Sequence, residues 1–90
     1  MYRYKRSVGG DYQWQGYIYF TSLCFARMGE EKREQIRRLC REAGGEYHAA
    51  LFEFVTTDTT ATAICLKHNI SKSTLYRIVA DYYRSFPKNI

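Results

Sequence analysis

Apolar residues recur at steps of three or four across the middle of the chain, at Ile36, Leu39, Cys40, Ala43, Tyr47, Ala50, Leu51 and Phe54. On a helix this spacing draws one continuous apolar stripe. Glu30 and Glu31 precede the stripe and suit the positive N-terminal end of such a helix. Gly44-Gly45 interrupts it, at a cost of about 1 kcal/mol per glycine relative to alanine. Two helices around a glycine turn are one reading, but the apolar phase crosses the pair without a slip. The pattern therefore predicts one long helix from about Glu31 to about Phe54, bent at the glycines.

The flanking segments follow the same logic. In "DYQWQGYIYFTSLCFARM", Gly16, Phe20, Leu23 and Cys24 share one face at helical spacing. At strand spacing Tyr12, Trp14 and Ile18 alternate with polar residues; helix is the preferred reading. Asp11 is a candidate cap for that helix, and Gly29 suits its end. Downstream, Thr57 to Thr60 offer caps for a short helix whose apolar face is Ala61, Ile64, Cys65 and Leu66. Asn69 tolerates the left-handed conformation. Ser71 then caps "SKSTLYRIVADYYRSF", and Pro87 ends that helix by Phe86. The spacing predicts helices over 60–68 and 71–85, joined at Asn69-Ile70, with Ile64, Cys65, Ile70, Leu75 and Ile78 buried. The fold class is all-α, a single domain over 1–90. It divides into a flexible basic arm (1–10), a helical brace (11–56) and a C-terminal helical pair (57–86).

Composition narrows this picture. Ninety residues bury a modest core, about 60–65 % of the unfolded surface, so every long helix must share it. The net charge of +5 favours phosphate polymers or acidic surfaces, weakly by itself. The three cysteines, Cys24, Cys40 and Cys65, each lie among apolar residues and read as small buried hydrophobes of a reducing compartment. No apolar run approaches the ~18 residues of a membrane span, and "MYRYKRSVGG" lacks the apolar stretch of a secretion signal. A cytoplasmic protein is expected.

The most informative stretch is "KHNISKSTLYRIV", residues 67–79. A small residue, Cys65, lies four positions before Asn69, where two helices must touch. Ile70 follows as an apolar plug, and Leu75 and Ile78 pin the second helix. This arrangement resembles the DNA-binding helix-turn-helix. "NISKSTLYRIV" is similar to the "GVSKSTV" type of recognition-helix start in Lac-repressor-family regulators. It also resembles small sporulation regulators and the DNA-binding region of sigma factors. The resemblance covers residues 57–86; residues 1–56 resemble no family. Asn69 stands where the turn glycine is usual and Cys65 where alanine is usual.

The resemblance implies that the second helix enters the major groove by its N-terminal end. Ser71 and Ser73 would meet phosphate there, and Lys72, Tyr76 and Arg77 would project opposite Leu75 and Ile78. Arg77 would fork onto guanine, Tyr76 would touch a thymine methyl or phosphate, and Thr60 would hold a phosphate across the backbone. The implied function is sequence-specific binding of double-stranded DNA in transcription regulation. A homodimer is expected, with the aromatic N-terminal region as its surface.

The cluster Lys32, Arg33, Arg37, Arg38 and Arg41 is interleaved with Glu30, Glu34 and Glu42 and reads as a solvated, ion-paired face. The arm "YRYKR" reads as a tail, or as a minor-groove contact. No CxxC or HxxxH pair exists, so a zinc site is not expected. No phosphate loop, serine–histidine pair or paired carboxylates stand out, so neither an enzyme nor a cofactor is expected. The rivals are a helical interaction module that uses exposed tyrosines, and a subunit of a larger transcription complex, weak on DNA alone.

Overall fold

The computed structural model describes residues 12–88 and 90. The protein is all-α, with no strand among the described residues. Helix α1 spans Tyr12–Leu23, α2 Glu30–Gly44, α3 His48–Thr56, α4 Ala61–His68 and α5 Lys72–Ser85. Short 3-10 turns at Phe25–Arg27 and Gly45–Tyr47 lead into α2 and α3. Helix α5 is the hub and packs against α2, α3 and α4. Its Leu75, Ile78, Val79 and Tyr82 meet Ile36 and Cys40 of α2, Leu51 and Val55 of α3 and Ile64 of α4 in one core.

Helix α1 joins this core through Ile18. Gln15 and Ser22, both buried, flank Ile18 on the same face. The Ser22 hydroxyl lies 2.8 Å from the Tyr82 hydroxyl, which gives each buried group a partner. Trp14 and Tyr17 stack with centroids 5.4 Å apart, and both meet the Phe86 ring edge-on. The Tyr17 hydroxyl donates to the Ile90 carbonyl, which ties α1 to the C-terminal end. Burial pushes the Cys40 thiol up to about 12, so it stays protonated and acts as a small hydrophobe.

Several expectations need correction. The long helix over 31–54 does not form: α2 stops at Gly44, and Gly45 takes φ +55° and ψ −126°. A straight helix over residues 30–56 would reach about 40 Å, whereas the longest dimension of the fold is 31 Å. Helices α2 and α3 instead pack on each other. Gly44 sits in the corner, where an added Cβ would lie 3.3 Å from Leu51 Cδ2. The first helix ends at Leu23 rather than near Met28, and Gly29 caps the start of α2 instead of closing α1. Gly16, Phe20, Leu23 and Cys24 do share a face, but it turns away from Gln15, Ile18 and Ser22, the buried side of α1. Leu66 leaves the apolar face of α4 and is 80 % exposed. Of the cysteines, Cys40 is buried, Cys65 half-buried and Cys24 exposed. The arm 1–10 and the Asp11 cap lie outside the described residues.

Candidate nucleic-acid interface

The α4–turn–α5 unit is built by three local devices. Thr60 caps α4, its Oγ1 accepting from the Ala63 N–H at 3.2 Å. Asn69 closes α4 in the left-handed conformation, φ 54° and ψ 52°. The Ile70 N–H then donates back to the Cys65 carbonyl at 3.2 Å, the Schellman-type bond that ends a helix over a left-handed residue. Ser71 caps α5, its Oγ accepting from the Thr74 N–H at 3.2 Å. Ile70 is buried between the two helices' starts and ends, as are Ile64, Leu75 and Ile78.

Those buried residues orient the rest of α5. Ser71, Lys72, Ser73, Tyr76 and Arg77 all come to the exposed side of the helix's N-terminal half. Thr60 stands apart from them, at the far end of α4, an eight-residue helix about 12 Å long. The Ser71 hydroxyl is engaged in its own cap, since it also donates to Thr74 Oγ1 at 2.9 Å. Its main role in the free chain is thus to start α5. Ser73, beside it, has its Oγ 3.3 Å from Ser71 Oγ.

The electrostatics of this end differ from those of α2. Helix α2 places Glu30 and Glu31 in its first turn, against the positive end of the dipole. Helix α5 has no acidic residue in its first turn and starts with Lys72. A cation there opposes the dipole by a few tenths of a kcal/mol or more, so the positive end is reinforced instead of neutralised. Elsewhere five of the nine described Lys and Arg side chains are ion-paired, while Arg27, Lys32, Arg38 and Lys88 are not. Glu30 holds Arg33 at 3.1 Å and Arg37 at 2.9 Å, and Glu34 holds Arg41 at 2.8 Å. Lys67 lies 3.0 Å from Glu53, and Arg84 3.0 Å from Asp81. Lys72 and Arg77 have no ion pair to any described residue.

Two features escaped the sequence reading. Arg77 borders a shallow groove of about 390 Å³ together with Glu42, Glu46 and Asp81. The carboxylates come from the α2 end, the glycine corner and the next turn of α5, so only the folded chain brings them together. They bound the cationic surface on the side of α5 toward its C-terminus. Second, His68 Nε2 lies 2.9 Å from Glu53 Oε1, and Lys67 shares that oxygen. The His68 bond, then the Lys67 bond, hold the Glu53 carboxyl below its ordinary range and fasten the end of α4 to α3. Neither pair has a periodicity by which a sequence pattern would reveal it.

Among the described residues, no group of three or more His, Cys, Asp and Glu side chains is placed to hold a metal ion. No helix of the described residues is long and apolar enough to cross a membrane. No family model matches the chain, and no curated protein or solved structure is significantly similar to it.

Proposed function

We propose that the protein binds double-stranded DNA sequence-specifically through α4, the Asn69 turn and α5, and that it regulates transcription. One observation carries this reading: the N-terminal half of α5 presents Lys72, Ser73, Tyr76 and Arg77 outward, with the two cations unpaired among the described residues and the helix's positive end uncompensated. A face that meets phosphate at its mouth and base edges beyond uses that arrangement. In this reading Lys72 and Ser73 engage phosphate and Arg77 reaches a guanine edge. Tyr76, 43 % exposed, touches a thymine methyl or the backbone. Ser71 and Thr60 hold the two helix starts and turn their hydroxyls to phosphate once bound.

The test is selection from a random duplex library. Enrichment of a common short sequence, lost with Arg77→Ala, supports the reading; recovery of unrelated sequences overturns its claim of specificity. A second reading, a docking module within a larger transcription complex, is favoured by Leu66, whose side chain stands out from α4 at 80 % exposure. It predicts that Leu66→Ser leaves DNA binding intact.

A further inference from the structure

The exposed side of α5 has two unlike flanks. At about 100° per residue, Lys72 and Tyr76 fall on one flank and Arg77 and Asp81 on the other, with Ser73 between them. Glu42 and Glu46, from the end of α2 and the glycine corner, line the same groove as Arg77 and Asp81. Both glutamates are exposed, and neither forms an ion pair with any described residue. Arg77 pairs with none of the three carboxylates, and Asp81 holds Arg84 at 3.0 Å. Helix stability does not account for Glu42, because it lies in the last turn of α2, where the dipole favours a cation.

We infer that Glu42, Glu46 and Asp81 are specificity determinants: they keep the phosphate backbone off Arg77, which leaves that side chain to a base edge. The inference rests on the DNA reading above. A guanidinium on an exposed flank takes any phosphate within reach, whatever the sequence. Such a contact strengthens binding to every duplex and dilutes discrimination. Carboxylates beside the guanidinium repel charged phosphate oxygens far more than the neutral acceptors of a guanine edge. The opposite flank carries Lys72, and the first turn of α5 has no acidic residue, so that side is open to the backbone. The two flanks thus also fix which side of α5 turns toward the phosphates.

The double variant Glu42→Gln/Glu46→Gln tests this in the full chain, by anisotropy titrations of the selected duplex and a random duplex across a salt series. Both positions are exposed, so the helical circular dichroism should be kept; if it is not, the single Glu46→Gln, outside the α-helices, is read instead. Affinity for the random duplex should rise about three- to tenfold at low salt, and its salt slope should steepen by about 0.9, one phosphate contact. Affinity for the selected duplex should rise less, so the ratio of the two falls. Adding Arg77→Ala should remove the extra slope, because the gained contact runs through Arg77. An equal rise on both duplexes is a bulk charge effect and overturns the inference. So does an unchanged affinity for both, or a steeper slope that survives Arg77→Ala. In these cases the wild type still binds and the DNA reading stands. A wild type that binds no duplex, or selects no common sequence, overturns both.

Discussion

Lys72 and Arg77 lie five positions apart on α5, and that separation gives them different tasks in the proposed complex. Lys72 sits at the helix start, beside where a phosphate would lie. Arg77 is more than a turn further in, next to Ile78, where a helix that enters the groove end-on faces bases. Arg77→Ala should therefore lower binding to a selected sequence by about 1–3 kcal/mol and spare random DNA. Neither side chain packs in the core, since Leu75 and Ile78 hold the opposite face. Both alanine variants should melt within about 0.5 kcal/mol of wild type. The carboxylates of Glu42, Glu46 and Asp81 beside Arg77 discourage a phosphate contact there. That favours a base edge as its target. Titrations by fluorescence anisotropy on selected and random duplexes, with thermal melts alongside, measure both effects.

Elements are joined in this fold by residues that the apolar pattern cannot weigh. Gly45 has open space around its Cα but a φ of +55°, so its constraint is backbone geometry, not packing. Gly45→Ala should destabilise the fold by about 1–3 kcal/mol although the new methyl touches nothing; a chemical melt with an unchanged midpoint would deny the corner. This explains what the sequence hid. A single left-handed residue re-aims the chain without adding or deleting a position, so the step of four from Ala43 to Tyr47 survives the corner. The stripe itself was legible, because Ile36, Cys40, Ala50 and Leu51 are all buried. The turn at Asn69 was legible as well, since few residues besides asparagine and glycine adopt φ 54° cheaply. Helix α1 was legible as a helix but not in its orientation: its buried side includes Gln15 and Ser22, whose polarity pointed outward in any hydropathy count. The donors on α5 could be named from sequence because Ser71 sets the helix start and with it every later position. The acidic border of Arg77 could not.

The link between α3 and α4 makes a further prediction at this scale. His68 and Lys67 hold the Glu53 carboxyl below its ordinary value of 4.5. A carboxyl depressed in the folded state stabilises the fold above its unfolded value, and that contribution is lost as pH falls through the folded value. Glu53→Gln should therefore be less stable than wild type at neutral pH, and the two should converge as the solution is acidified below 4.5. A gap that persists unchanged into acid would mean that Glu53 acts by packing and not by charge.

At the scale of the whole molecule, charge is sorted. Helix α1 has none, α2 pairs Arg33, Arg37 and Arg41 with Glu30 and Glu34, and Lys72 marks the N-terminal end of α5 without an ion pair to any described residue. The central claim is that the N-terminal end of α5 meets phosphate. It is tested most directly by the salt dependence of binding to a random duplex, wild type beside Lys72→Ala. Each neutralised phosphate adds about 0.9 to the slope of log affinity against log salt. The account predicts that the wild type binds at low salt with a slope of several such units, and that Lys72→Ala binds more weakly with a slope lower by about one. Equal slopes for the two proteins, or no binding by the wild type even at low salt, would contradict it.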